Sequence, residues 1–189
     1  MLIRIISFLL ESLFFVLIAA ALLRAWMNGL RINMRIQPGI FAMAVTDWLV
    51  KPMRRVMPAA LAQSRVDWAS VLAAFILAMV YGLVWTAVMT MMSDPIHRLS
   101  ELAPLALLGV VVFALKMLIR VVLQGLFFMV LAFAVLSWLQ PSSPAYHQLG
   151  RLVEPLITPL RRVLPSLGGV DLSALVLMLM LQIGLMLLG

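Results

Sequence analysis

The octapeptide TPLRRVLP, residues 158–165, repeats an earlier octapeptide, KPMRRVMP, at residues 51–58. Both place two arginines between two prolines in a chain that is otherwise mostly hydrocarbon. Hydrophobic residues make up 65% of the 189, charged residues 11%, and mean hydropathy is +1.16, too few polar side chains to cover a water-soluble globule. The reading that follows is an all-α integral membrane protein. In that solvent the net charge of +7 marks the cytoplasmic face of the spans rather than a nucleic-acid site, so no direct nucleic-acid partner is expected. The absence of cysteine removes disulfide frameworks, thiolate metal sites and thiol nucleophiles.

A bilayer core of about 30 Å needs about 20 apolar residues per helix. The runs 5–27, 68–92 and 172 to the C-terminus meet this need, and 121–139 supplies a fourth span. The run 102–115 contains Pro104 and Gly109 and is followed by Lys116, Arg120 and Gln124. Its length predicts a separate re-entrant or interfacial helix near residues 102–118. Within each octapeptide, the prolines predict a short helical turn bounded at both ends, with amphipathic character where it meets the headgroups.

Other segments repeat with the octapeptides. AW at 25–26 matches SW at 137–138, and VDWAS at 66–70 matches VDLSA at 170–174. The chain therefore reads as two parallel copies of span, tryptophan, basic loop and span. The expected organisation is repeat 1 over 1–92, a connection over 93–120, and repeat 2 over 121–189. Ala19 and Ala21 give the first span the look of a secretory signal, but removing it would amputate half a copy, so retention is expected.

A tryptophan at the end of a span, P-x-R-R-x-x-P, and a V-D-x-x-S or V-D-x-S start to the next span resemble the YggT family, also called YlmG. SWLQPSSP, EPLITPLRRVLP and GGVDLSA carry the resemblance in copy two, and copy one departs from it with a longer loop between Trp26 and Pro52. The two-copy length is similar to the proteobacterial form. The resemblance implies a multi-pass protein of the bacterial inner membrane or a plastid membrane, without established enzymatic activity, and the two-copy form points to the bacterial one. Relatives are linked to cell-division gene neighbourhoods, nucleoid organisation, osmotic tolerance and, in plastids, haem attachment during cytochrome assembly.

Charge orients the spans. The first basic loop carries Arg31, Arg35, Lys51, Arg54, Arg55 and Arg65, and the last carries Arg151, Arg161 and Arg162, whereas 93–101 sets Arg98 against Asp94 and Glu101. Both arginine pairs are expected in the cytoplasm, with both termini outside and four crossings. Arg54, Arg55, Arg161 and Arg162 are candidate docking residues for anionic lipid headgroups or an acidic membrane-protein partner. Asp67 and Asp171 are candidate helix caps at the start of the second span of each copy. Trp26 and Trp138 are candidate interface anchors.

Measured along helices at about 1.5 Å per residue, Glu11 lies about 22 Å from Trp26, while Gln124 and Arg120 lie about 21 and 27 Å from Trp138. Glu11, Arg120 and Gln124 therefore form a candidate intramembrane polar site, read either as structural pairing or as an ion or proton site. Ser70, Ala74, Ala78 and Gly82 form a ridge for close helix approach within the monomer. Ser142, Ser143 and His147 lack an orienting acid for nucleophilic chemistry, and His97 and His147 are expected on opposite sides of the membrane. No enzyme, metal or cofactor is expected. The leading reading is a non-catalytic organiser or assembly factor, compatible with a homo-oligomer, and the alternative is ion or osmolyte transport.

In single-cysteine labelling, Gln63→Cys and Gln148→Cys should both be shielded from an impermeant outside reagent while Ser93→Cys reacts. Labelling at 148 but not at 63 would establish an odd number of crossings between the loops.

Overall fold

The computed structural model describes residues 2–57, 66–92, 104–162 and 172–188. They form helices and connecting turns, with no strand among the described residues. The helices are α1 (Leu2–Gly29), α2 (Gly39–Val56), α3 (Trp68–Met92), α4 (Pro104–Leu139), α5 (Pro144–Arg161) and α6 (Leu172–Leu188). Among the described residues, three segments are long and apolar enough to cross a membrane: Arg4–Gly29, Trp68–Val88 and Leu108–Leu139. The apolar helix α6 has 17 residues. Phe8, Leu13, Leu83, Leu108, Ile119 and Leu179 are exposed on these helices, as suits elements whose solvent is hydrocarbon.

The helix α4 is continuous for 36 residues, so residues 104–118 do not form a separate re-entrant helix. Pro104 occupies the first helical position, where its missing N–H costs little. Lys116 and Arg120 are exposed and continue the helix, because long basic side chains are good helix formers. At about 1.5 Å per residue, α4 is about 54 Å long, well beyond the thickness of a hydrocarbon core.

The octapeptides also differ from the expectation of isolated turns. Residues 51–56 end the eighteen-residue α2, with Pro52 inside it. Residues 158–161 end the eighteen-residue α5, with Pro155 and Pro159 inside it. All three prolines are exposed, so the carbonyls they leave without a helical donor are not forced into the apolar face. At the other end, Met57 precedes Pro58 and is extended, with φ −76 and ψ 136, the conformation proline imposes on its predecessor.

A tight turn sends the chain from α1 into α2. Ile32 N–H donates to Met27 O at 2.9 Å and Arg31 N–H to Asn28 O at 3.1 Å, the paired bonds of a Schellman ending. Arg31 takes the left-handed position with φ 56. Gly39 begins α2 where an added Cβ would lie 2.7 Å from Met34 Cα, a close approach only glycine permits.

The fold divides into two compact units, Met1–Val121 and Val122–Gly189. In the first, Ile18 and Ala21 of α1, Ala74, Leu77 and Ala78 of α3, and Ala114 and Val121 of α4 form one buried cluster. The small-residue ridge is part of this interior: Ser70, Ala74 and Ala78 are fully buried, and a Cβ on Gly82 would meet Val110 and Phe113 at 3.2 Å. In the second, α5 packs on α6 and the Phe133 and Tyr146 rings stack at 4.9 Å.

Ala78→Leu should lower unfolding stability in mild detergent by about 1–3 kcal/mol through overpacking. Val80→Leu on the exposed side should change it by less than about 0.5 kcal/mol.

Candidate functional site: a buried ion network in the first unit

Arg24 stands near the end of α1 and is only 4% exposed. A guanidinium so deeply buried is tolerable only when paired. Its Nη1 donates to Asp47 Oδ1 at 2.7 Å and to Thr46 Oγ1 at 3.1 Å. The Thr46 hydroxyl donates in turn to Ala42 O at 2.6 Å, leaving its lone pairs for the arginine. The other Asp47 oxygen lies 2.8 Å from Lys51 Nζ, one turn along α2.

Asp67 supplies the second carboxylate, immediately before α3. Its Oδ2 accepts from Asn28 Nδ2 at 2.8 Å, from Ser70 Oγ at 2.8 Å and from Arg54 Nη2. Arg24 Nε is 4.0 Å from the same oxygen. Asp67 Oδ1 reaches the Ser70 N–H at 3.4 Å, the capping position at the start of α3. Three cations, Arg24, Lys51 and Arg54, thus meet two carboxylates across three helices. Among the described residues, no buried side-chain nitrogen or oxygen lacks a hydrogen-bond partner.

Hydrogen bonds from Lys51 and then Arg24 hold the Asp47 carboxyl below its ordinary value. At Asp67, burial pushes upward, but hydrogen bonds from Arg54 and Ser70 and the Arg54 charge outweigh it, and the result is also lowered.

Of the residues singled out from sequence, Arg54 and Asp67 meet in this network. Asp171 lies outside the described residues. Arg55 is exposed at the end of α2, and Arg161 and Arg162 are exposed at the end of α5. Trp138 is 71% exposed, and Trp26 is half-buried. Glu11 and Arg120 are exposed in the first unit. They form no ion pair within 4.0 Å among the described residues. Gln124 falls in the second unit. Ser143 caps α5, accepting from Tyr146 N–H at 3.2 Å. His147 lies edge-on to Tyr146 at 5.7 Å, and His97 lies outside the described residues.

Sequence reasoning missed Arg24, Asn28, Thr46, Asp47 and Lys51. Arg24 was an ionisable residue inside the apolar run 5–27, and that alone was a signal. Asn28 follows it by one helical turn, and Lys51 follows Asp47 likewise.

The sequence profile of CCB3/YggT matches residues 1–88 and 112–189. The chain belongs to the CCB3/YggT family. "Uncharacterized protein YggT" of Escherichia coli (strain K12) is 31% identical over 179 residues, covering 94% of this chain and 86% of that one. "Uncharacterized protein in proC 3'region" of Vibrio alginolyticus is 33% identical over 184 residues, covering 97% and 92%. A Haemophilus influenzae protein is 29% identical over 164 residues, covering 85% and 78%. No solved structure matches. The whole ion network, from Arg24 to Ser70, falls inside the first CCB3/YggT segment, and Arg161 and Arg162 fall inside the second.

Because both carboxyls are lowered in the folded state, the unfolded chain takes up protons first as pH falls. Stability is fully present above the ordinary carboxylate value of 3.8 and is lost as pH drops through the lowered folded values. Unfolding midpoints in detergent should therefore be flat from about pH 8 to 5 and fall below about pH 4, with a shallower fall for Asp47→Asn with Asp67→Asn. Asp67→Ala at neutral pH, which strips Arg24 and Arg54 of a buried partner, should cost about 3–5 kcal/mol.

Proposed function

We propose that this protein is a non-catalytic organiser of membrane components, acting through two arginine-bearing interfacial helices held at fixed positions on their spans. The observation that carries the reading is the Asp67 junction. It consumes one arginine of the first pair, Arg54, in tying α2 to α1 and α3, and presents the other, Arg55, at the exposed helix end. Chemistry invested in fixing a helix rather than in lining a reaction cleft suits a docking platform.

In this reading the chain is two parallel repeats, supported by the duplicated octapeptides and by the two separate profile matches. Four crossings place both basic loops in the cytoplasm of a bacterial inner membrane, facing anionic headgroups. The partner is a membrane protein with an acidic cytoplasmic surface. A transport role is the second reading, favoured by Glu11 and Arg120 standing exposed on apolar helices.

In-cell crosslinking from residues beside Arg55 and Arg162, with mass-spectrometric identification, should recover one specific membrane protein. Arg→Lys at positions 55, 161 and 162, leaving Arg54 in its junction, should preserve insertion but weaken that recovery several-fold, since lysine lacks the guanidinium fork. Unchanged recovery with both lysine and alanine replacements removes the docking role. Solute flux into proteoliposomes, abolished by Glu11→Gln, would establish transport instead.

A further inference from the structure

At about 100° per residue, α2 divides its surface into three sectors. Gly39, Ala42, Thr46 and Val50 are buried and form the first, the side packed on α1 and α3. Asp47, Lys51, Arg54 and Arg55 form the second, with Ile40 and Ala44 as the apolar positions among them. Phe41, Val45, Trp48, Pro52 and Val56 form the third. This last sector is apolar and largely open, with Phe41 48%, Trp48 61% and Val56 83% exposed.

The ion network shows which way each sector faces. α2 meets α1 with its middle, through Asp47 and Arg24, and the start of α3 with its last turn, through Arg54 and Asp67. It therefore crosses the two spans instead of running along either. Leu49, on the edge beside the apolar sector, packs against the cluster of Ile18, Ala21, Ala74 and Leu77 inside the spans. Asp47 and Arg54, on the opposite edge, reach Arg24 and Asp67 nearer the span ends. The apolar sector thus continues on the side of the spans' interior and the charged sector on the side of their ends.

We infer that α2 lies embedded in one leaflet of the bilayer, its Phe41 and Trp48 sector on acyl chains and its Lys51 and Arg55 sector on anionic phospholipid headgroups. A helix that exposes aromatic rings on one side and cations on another suits a surrounding that holds both phases. The Trp48 indole N–H donates to Val45 O at 2.8 Å, so the exposed ring needs no water partner. Four cations, Arg24, Lys51, Arg54 and Arg55, stand against two carboxylates, Asp47 and Asp67, at the junction, and the excess complements an anionic surface. Lys51 stays largely exposed beside Asp47, and Arg55 is exposed at the helix end. Lipid is already the surrounding of the exposed Leu13, Val16, Leu72 and Val80 on the same two spans. The assignment rests on the interfacial reading of α2 in the organising role, and no protein partner enters it.

The chain has no cysteine, so single nitroxide labels can be placed through Phe41→Cys, Trp48→Cys or Arg55→Cys in the full chain, purified and reconstituted in phosphatidylglycerol vesicles. Labels at 41 and 48 should collide several-fold more with molecular oxygen, which concentrates in acyl chains, than with a water-soluble nickel chelate. The label at 55 should show the reverse order. With Arg55→Glu added, the label at 48 should become several-fold more accessible to the chelate in phosphatidylglycerol, where like charges repel, and stay unchanged in phosphatidylcholine. Helicity by circular dichroism confirms folding of each variant. Chelate exceeding oxygen at 41 and 48 would put the sector in water, and shielding from both reagents would put protein, a second copy included, over it. Either result, or an equal response to Arg55→Glu in the two lipids, would overturn the assignment. Because no partner is present, these outcomes are read independently of the crosslinking that tests the docking role.

Discussion

The carboxylate of Asp67 is bonded by one residue from each of three helices: Asn28 of α1, Arg54 of α2 and Ser70 of α3. In a membrane, lipid tails are as apolar as leucine, so hydrophobicity alone does not choose which face of one span meets another. A polar junction does, because sliding or rotating any of these helices strands a charge or a donor in a low-dielectric interior. The contribution is specificity more than net stability, since well-packed apolar groups often match a buried ion pair in energy. Beside the junction, Val50, Ala69 and Ala73 form a small buried cluster. Close packing and polar pairing therefore select the same register for α2 on α3.

The second copy carries Arg161 and Asp171 where the first has Arg54 and Asp67, and it differs at the Arg24 end of the network. With the octapeptides aligned, Thr46 corresponds to Val153 and Val50 to Ile157, and all four positions are buried. The inward pattern of the interfacial helix is thus kept while its polar content changes. At the positions aligned with Arg24 and Thr46 the second copy carries leucine and valine. Changing one member alone would leave a buried group unsatisfied, whereas replacing both by apolar residues is close to neutral. The carboxylate position is the exception, and Glu154 is exposed.

Apolar length made α1 and α3 legible, because bilayer thickness acts on sequence locally. The Asp67 cap was legible for the same reason: donor and acceptor are three residues apart. The unbroken course of α4 was not, because the argument for a break treated Lys116 and Arg120 as boundaries of a membrane when backbone propensity sees only good helix formers. The prolines of the octapeptides misled in the opposite direction. Proline ends helices when its neighbours are packed, but on an exposed face the freed carbonyl has other partners and the helix continues. The ion network was hidden by separation along the chain. Arg24 meets partners 22 and 23 residues away, so only the tertiary arrangement of α1 and α2 reveals what satisfies it.

Along α1 the ionisable residues Arg4, Glu11 and Arg24 stand at three levels and are treated differently. Arg4 and Arg24 are 20 residues apart, about 30 Å at helical rise, which is the thickness of a hydrocarbon core. Arg24 at one boundary is enclosed by protein and bonded on every side that the fold can reach. Glu11 falls between the boundaries, about 10 Å from the level of Arg4, and is exposed. The buried Tyr81 of α3 packs its ring among Phe14, Trp85 and Phe113. The Arg24 layer therefore accounts for architecture, because every partner is committed to holding helices together. Glu11 and Arg120, by contrast, hold no helix by an ion pair within 4.0 Å among the described residues.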